Sequence, residues 1–102
     1  MRQVMVRYRV RPEHTLENER DVRKVFEELA LRKPASLWYA SFKVGDNVSF
    51  VHVVADDSGD RPHPLSEILA FKAFAAAIER RCDEQPIVTE LTEVGSYNMF
   101  GD

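Results

Sequence analysis

Two periodicities of apolar residues alternate along this chain of 102 residues, and their order constrains the fold more than any other feature. Segments with a period of two residues, which is typical of strands, lie at 4–10, 37–44, 48–55 and 87–97. Segments with a period near 3.6, which is typical of amphipathic helices, lie at 14–32 and 64–82. The chain is therefore predicted to run strand, helix, strand, strand, helix, strand.

This order predicts an α+β fold of the ferredoxin-like βαββαβ type, with a four-stranded antiparallel sheet and both helices on one face. The length suits a single domain, 1–102. The net charge of −3 argues against nucleic acid as a partner, and the chain lacks the run of ~20 apolar residues that a membrane helix needs. A single cysteine and an N-terminal segment without a signal-peptide pattern favour a cytoplasmic protein.

The two central strands are predicted to form a hairpin around 45–47, where Gly, Asp and Asn suit a tight turn. Either possible two-residue loop sorts the side chains in the same way. One face then carries Trp38, Ala40, Phe42, Val44, Ser49, Val51, Val53 and Ala55. The other face carries Leu37, Tyr39, Ser41, Lys43, Val48, Phe50, His52 and Val54. We expect the first and more apolar set to face the helices, together with Val4, Val6 and Val10 of the first strand.

The second set would then share the non-helix face with Met5, Arg7 and Arg9. Such a face is too apolar to be left in water and too polar for the core of a monomer, and exposed apolar patches usually mark interfaces. We therefore expect a homodimer that pairs these faces. The alternative is an amphipathic sheet face that simply remains in contact with water.

The main catalytic candidate is His52, because an imidazole within an apolar strand must be hydrogen-bonded or must titrate near neutral pH. Tyr39 or Ser41, across the hairpin, could orient it for proton transfer. The alternative is a structural histidine that is hydrogen-bonded inside a dimer interface.

Five aromatic residues could together line a ligand pocket between sheet and helices, although ordinary core packing is the simpler explanation for each of them taken singly. They are Tyr8, Trp38, Phe42, Phe71 and Phe74. On the opposite face, Arg7, with Arg9 and Lys43, could bind a carboxylate or phenolate. These cations could instead pair with Glu90 or Glu93 of the last strand.

The remaining reactive residue types form no recognisable site. His14 and His63 are isolated, no metal-ligand spacing occurs, and neither a metal nor a cofactor is expected. Cys82 continues the apolar stripe of the second helix and is predicted to be a small core residue. Phe100, near the C-terminus, is expected to be exposed.

Three segments, FVHVVADD, PLSEILAFKAF and QPIVTELTEVGSY, resemble the dimeric α/β-barrel superfamily. More narrowly, they resemble the small proteins of the antibiotic biosynthesis monooxygenase group, and the resemblance extends through VFEELALRKPASLWYASFKV. It implies a homodimer whose sheets face each other, with a small-molecule cavity commonly between sheet and helices. It also implies oxygenation without metal or flavin, where an electron-rich phenolate substrate reacts with dioxygen itself.

The leading hypothesis is therefore a monooxygenase-like protein that binds a small molecule and oxidises an aromatic or quinol-type substrate without a cofactor. The alternative is a non-catalytic dimeric module that binds a ligand or serves in interactions, and whether the chain is an enzyme stays open. Haem degradation is not expected, because the chain lacks the first-strand Asn and the helical His that haem-degrading relatives carry.

Overall fold

The computed structural model describes residues 1–99 and contains one antiparallel sheet covered on one face by two helices. The elements in chain order are β1 (Arg2–Val10), α1 (Thr15–Arg32), β2 (Leu37–Lys43), β3 (Ser49–Asp56), α2 (Leu69–Arg81) and β4 (Cys82–Glu90). The strands lie in the order β2-β3-β1-β4. The predicted ferredoxin-like fold is confirmed. Phe100 lies outside the described residues, so its predicted exposure stays a prediction.

The second half of the chain differs from its predicted boundaries. The last strand starts directly after α2, at Cys82, and ends at Glu90, whereas the sequence predicted 87–97. The predicted second helix is divided into a 3-10 turn, Pro64–Glu67, and α2. The break falls at Ile68, whose backbone is extended with φ −90° and ψ 109°.

The start of α2 is capped by a side chain from the other helix. The backbone N–H groups of Leu69 and Ala70 donate to the carboxylate oxygens of Glu28 on α1, at 3.0 and 2.8 Å. These hydrogen bonds satisfy donors that a helix leaves free in its first turn. They lower the pKa of the Glu28 carboxyl, because the backbone donors favour its ionised form. The contact ties the two helices together beside the cavity described below.

The hairpin has the register that the sequence predicted. Lys43 lies opposite Phe50, and the Val44 N–H donates to the Ser49 carbonyl oxygen over 2.8 Å. The loop therefore spans four residues, 45–48, and its even length leaves the predicted sorting of side chains unchanged.

The hairpin face that contacts the helices is the opposite of the one predicted. In the β1–β3 register, Val6 lies opposite His52 and Tyr8 opposite Phe50, so these residues share the face that meets the helices. Tyr39 and Ser41 lie on that same helix-covered face, because they pair with Val54 and His52. The expectation that this set faces away from the helices is wrong, as is the expectation that Trp38 and Phe42 face them.

The face of the sheet without helices is called the open face here. It carries Met5, Arg7, Trp38, Phe42, Val51, Val53 and Ile87. Phe42 is 51% exposed and Ile87 is 67% exposed. This face is more apolar than predicted, because it carries the tryptophan and valine side chains that the sequence assigned to the core.

The core between sheet and helices contains polar residues among its apolar ones. Its buried apolar members include Tyr8, Val10, Val25, Phe50, Ile68 and Phe74, and Cys82 is buried with them as predicted. Asn18, His52 and Arg81 are also buried, each at most 3% exposed. Buried polar groups of this kind need hydrogen-bond partners, and those partners define the site. Over residues 1–99, neither helix has the length and apolar character needed to cross a membrane.

Candidate functional site

An apolar cavity of about 160 Å³ lies between the sheet and α2. Its walls are Val6, Val54, Leu65, Phe71, Phe74, Ala75, Ile78 and Pro86, and its polar groups come from Tyr8, Tyr39 and His52. A cavity of this size and lining can hold a single aromatic ring, because an apolar cavity of about 150 Å³ is known to bind benzene.

His52 borders this cavity and is held by hydroxyl groups from both neighbouring strands. Tyr39 Oη lies 2.6 Å from His52 Nδ1, and Tyr8 Oη lies 2.8 Å from His52 Nε2. Ser41 Oγ is a more distant third partner, 3.3 Å from Nε2. The Phe74 ring stacks on the imidazole with centroids 5.5 Å apart. The imidazole is therefore fixed in position and orientation.

Burial keeps the three titratable groups of this cluster neutral at physiological pH. It lowers the pKa of His52 from 6.5 to about 4, because the imidazolium form would lose its hydration. Burial also raises the pKa values of the Tyr8 and Tyr39 phenols, because the phenolate form is similarly disfavoured. The three groups that border the cavity are thus uncharged.

A line of hydrogen bonds continues from Tyr8 to the surface. Asn18 Nδ2 donates to Tyr8 Oη over 2.9 Å, and Arg81 Nη1 donates to Asn18 Oδ1 over 3.2 Å. The Arg81 guanidinium also donates to Asp21 through Nη2, and its Nε lies 2.8 Å from a Glu17 carboxylate oxygen. The buried cation is therefore neutralised by two half-exposed carboxylates.

A wider pocket of about 360 Å³ adjoins the cavity. The two share Val6, Val54, Leu65 and Phe71 as lining residues. Polar side chains from Arg2, Asp56 and His63 stand at the outer pocket. Two adjoining, mainly apolar spaces with a few polar side chains at the outer one have the general form of a small-molecule site.

The sequence-predicted site residues are divided between the two faces of the sheet. His52, Tyr39, Tyr8, Phe71 and Phe74 all line the inner cavity, with Ser41 beside them. Whether they act in catalysis or binding stays a proposal.

The remaining predicted residues lie away from this cavity. Trp38 and Phe42 are on the open face, where Trp38 lines a cleft of about 440 Å³ with residues that include Val53 and Glu93. The expectation that they line a pocket between sheet and helices is therefore wrong. Arg7 is also exposed on the open face, opposite Val51 and Ile87, so it does not share a face with His52 as predicted.

The other predicted cations have partners outside the cavity. Arg9 pairs with Asp83 at 2.8 Å and with Glu84 at 3.2 Å, and Lys43 pairs with Glu19 at 2.8 Å. Glu90 lies 3.7 Å from Arg2, and Glu93 follows the end of β4.

Sequence reasoning missed Asn18 and Arg81, and it treated His63 as a solvated loop residue. Asn18 occupies a helical position that the apolar stripe of α1 would otherwise fill, and this was the available signal. Arg81 precedes Cys82 at the helix end, and nothing in the local pattern distinguishes it from the exposed Arg80. His63 is half-buried, and its Nδ1 accepts the Leu65 N–H at the 3-10 turn.

Residues 1–99 contain no cluster of three or more histidine, cysteine or carboxylate side chains arranged to hold a metal ion.

Several solved structures share this fold at low sequence identity. An antibiotic biosynthesis monooxygenase matches with TM-score 0.69 and 18% identity, over 93% of this chain and 100% of its own. A Nitrosomonas europaea protein of unknown function matches with TM-score 0.71 and 13% identity, over 94% and 91%. A Caulobacter crescentus protein named provisionally as an antibiotic biosynthesis monooxygenase matches with TM-score 0.65 and 19% identity, over 92% and 90%.

Neither a scan against protein-family models nor a search of curated proteins found a match. The structural likeness extends over nearly the whole chain, so the match is to a complete fold and not to a fragment. The resemblance inferred from the sequence is thus confirmed at the level of architecture: the chain has the ferredoxin-like fold of the antibiotic biosynthesis monooxygenase-like proteins.

Proposed function

We propose that this protein binds a small, mostly apolar molecule in the inner cavity, with its ring packed beside Phe71 and Phe74 and its oxygen near Tyr39 and His52. The observation that carries the proposal is a ring-sized cavity, about 160 Å³, with apolar walls, bordered by the side chains of Tyr8, Tyr39 and His52. A fully packed interior would leave no such space, because protein cores contain few voids larger than a water molecule.

We further propose that the bound molecule is an aromatic or quinol-type substrate that dioxygen oxidises without a cofactor. One oxygen atom would enter the substrate and the other would leave as water, with the substrate supplying all four electrons. The protein would contribute a dry chamber and a fixed orientation. The names of two fold neighbours support this chemistry by analogy alone.

His52 is the proposed proton-transfer group, and Tyr39 and Ser41 would orient it. A neutral imidazole with a pKa of about 4 is a weak base towards solvent protons. The pKa of the imidazole should rise when a neighbouring ligand loses its proton and becomes an anion. The negative charge of the ligand then stabilises the imidazolium.

A non-catalytic binding protein is the second candidate. It is supported by the same hydrogen bonds, since an imidazole bound on both nitrogens is also what a structural histidine would show. Both candidates share the cavity and differ only in whether chemistry follows binding.

Ligand binding can be tested with two neighbouring alanines of α2. Both alanines are exposed, but only Ala75 lines the cavity. We expect Ala75→Leu to weaken binding of phenol by at least about tenfold, because the added side chain occupies the space of the ring. Ala76→Leu should leave the affinity unchanged. Equal affinities in all three proteins, measured by calorimetry, would place the ligand elsewhere.

Catalysis can be tested by oxygen uptake with a panel of quinols. We expect uptake by the unmodified protein and its loss in His52→Ala, with the folded state of the variant checked by circular dichroism. Full turnover in His52→Ala would remove the proton-transfer role. No uptake with any quinol, combined with phenol binding, would favour the non-catalytic candidate.

We also propose that two copies pair through their open faces. The support is the exposed apolar surface of Phe42 and Ile87, which continues into the half-buried Met5, Trp38 and Val53. Apolar patches of this kind mark interfaces more often than free surfaces.

A further inference from the structure

Arg81, Asn18, Tyr8 and His52 are joined by a chain of hydrogen bonds. Which group donates at each contact can be worked out from Arg81, because a guanidinium can only donate. A guanidinium has only donors, so the Asn18 oxygen must face Arg81 and the Asn18 NH₂ group must face Tyr8. The assignment of the two ends of the Asn18 amide therefore follows from the chemistry of its neighbour. Asn18 is 0% exposed and Arg81 is 2% exposed, so water does not compete for these contacts.

The next step in this line is the Tyr8 hydroxyl. Its oxygen accepts a hydrogen from Asn18, and its own hydrogen has His52 Nε2 as an acceptor 2.8 Å away. Ser41 Oγ approaches the same nitrogen at 3.3 Å. The hydrogen of the buried Tyr8 hydroxyl has an acceptor at the nearer of these contacts only when Nε2 carries its lone pair. A neutral imidazole with an acceptor Nε2 carries its hydrogen on Nδ1.

The last step reaches the cavity. If His52 Nδ1 carries the hydrogen, it donates to Tyr39 Oη over their 2.6 Å contact. The hydrogen of the Tyr39 hydroxyl is then free to point elsewhere, and Tyr39 lines the inner cavity. The opposite tautomer would leave the hydrogen of Tyr8, which is 2% exposed, facing a donor instead of an acceptor.

We propose that Arg81 and Asn18 set the direction of this line and thereby make Tyr39 a hydrogen-bond donor to the bound molecule. The site then selects ligands that present an acceptor oxygen at that point, either a carbonyl or a phenolate, over ligands that must donate there. This inference rests on the proposed binding function alone, and not on proton transfer by His52, and it adds a ligand class to that function: the bound molecule is held through a phenolate oxygen or a carbonyl oxygen. Asn18 is a positioning residue in this scheme.

The unmodified protein provides the first test, through nitrogen NMR of its histidine side chains at pH 7. We expect His52 to be neutral, with its hydrogen on Nδ1. A neutral His52 with its hydrogen on Nε2 would overturn the proposal without any substitution.

Asn18→Asp is designed to exchange the donor and acceptor roles in this chain of hydrogen bonds. The carboxylate keeps the size of the side chain and its contact with Arg81, but it can only accept from Tyr8. The Tyr8 oxygen would then accept from His52 Nε2–H, and the Tyr39 hydroxyl would donate to His52 Nδ1. The Tyr39 oxygen would face the cavity as an acceptor. The His52 hydrogen should therefore move to Nε2 in the NMR spectrum.

The ligand preference should change in the same variant. Cyclohexanone can only accept a hydrogen bond, whereas cyclohexanol can also donate one, and both have one ring. We expect the ratio of cyclohexanone to cyclohexanol affinity to fall at least about tenfold in Asn18→Asp, since a buried hydrogen bond is lost for one ligand and kept for the other. Asp21→Asn is the control, because it changes the charge beside Arg81 by one unit, in the opposite sense, without touching Tyr8.

The two proposals fail in different ways. If neither ring compound binds the unmodified protein, the proposed binding function is wrong and the selectivity inference falls with it. If both bind, but their ratio is unchanged in Asn18→Asp despite the moved hydrogen, the binding function stands and the inference is wrong. Should Asn18→Asp not fold, Tyr39→Phe replaces it: it removes the donor, so cyclohexanone affinity should drop about tenfold, and an unchanged affinity would overturn the inference.

Discussion

The Tyr8 hydroxyl lies 2.8 Å from Nε2 of His52, although 44 residues separate them along the chain. The contact joins two adjacent strands, β1 and β3, on the face that the helices cover. It places a polar pair where an apolar pair would be expected. The pair is tolerated there because Asn18 and Tyr39 complete its hydrogen bonds, so that few polar atoms remain unsatisfied.

The low pKa of His52 predicts an acid-sensitive fold. The unfolded chain takes up a proton at His52 below pH 6.5, whereas the folded chain resists it down to about pH 4. The free energy of unfolding should therefore be at its full value above pH 6.5 and should fall as the pH drops towards 4, by a total of about 3 kcal/mol. Urea unfolding at a series of pH values measures this directly.

The matched control is His52→Gln, which keeps a donor and an acceptor but cannot be protonated. Its free energy of unfolding should be flat between pH 6.5 and 5. Carboxyl groups with lowered pKa values, such as Glu28 and Asp46, lose their stabilising effect only below about pH 4.5, so they do not act in this window. An equally steep pH dependence in both proteins would show that another group causes it.

Arg81 and Arg80 are adjacent in sequence, and the structure predicts different consequences for their removal. Arg81 is buried and contacts Asn18, Asp21 and Glu17, whereas the Arg80 side chain is 67% exposed. Arg81→Met should destabilise the fold by about 2–4 kcal/mol, because it leaves Asn18 without its donor and removes the nearest cation from Glu17 and Asp21.

Arg80→Met should change the stability by less than about 0.5 kcal/mol, as is usual for exposed positions. Thermal or urea denaturation of the two variants under the same conditions makes the comparison. Similar losses of unfolding free energy in both variants would mean that the buried contacts of Arg81 do not stabilise the fold.

The hairpin shows which part of this arrangement could be predicted from sequence. Its turn residues and the period of two fix which side chains share a face, and the Lys43–Phe50 register confirms that sorting. Which face then meets the helices is decided by the pairing of β1 with β3, a contact across more than 40 residues. Local periodicity contains no information about that pairing.

Choosing the more apolar face for the core gave the wrong answer for a physical reason. The buried set contains Tyr39 and His52, whose polar atoms satisfy one another once Tyr8 is beside them. The set with Trp38 and Phe42 is more apolar but lies on the open face. Hydrophobicity counted residue by residue cannot register hydrogen bonds that only the folded sheet creates, nor can it anticipate a surface available to a second copy.

The proposed pairing of open faces predicts that one charge will abolish it. Phe42→Glu introduces two carboxylates into a symmetric interface, because each copy contributes one. Unpaired charges buried in an apolar interface are strongly unfavourable, so the dimer dissociation constant should rise at least about 100-fold. Light scattering at micromolar concentration should then report a monomer.

Leu31→Glu is the control for this experiment, since Leu31 is 84% exposed on α1, on the side of the molecule away from the open face. That variant should keep the mass of the unmodified protein. A monomer mass for the unmodified protein itself would contradict the pairing proposal, whatever the variants do.

Substitutions at two buried phenylalanines distinguish the stability lost with core packing from the ligand affinity gained by enlarging the cavity. Phe74 is 6% exposed, stacks on His52 and lines the cavity, whereas Phe50 is 2% exposed and stacks on Tyr8 with centroids 5.5 Å apart. Replacing either with alanine should cost about 3–5 kcal/mol of unfolding free energy, because each change leaves a void in a packed core.

Only Phe74→Ala should change which ligands fit, because its void joins the existing chamber. Fluorescence titration should show that a two-ring probe such as 2-naphthol binds this variant at least about tenfold more tightly than the unmodified protein, as expected when a ring that previously clashed gains apolar contact. Phe50→Ala should show the same loss of stability without that gain. If both variants gain affinity equally, the probe is binding to a generally loosened core, and the cavity beside His52 is not its site.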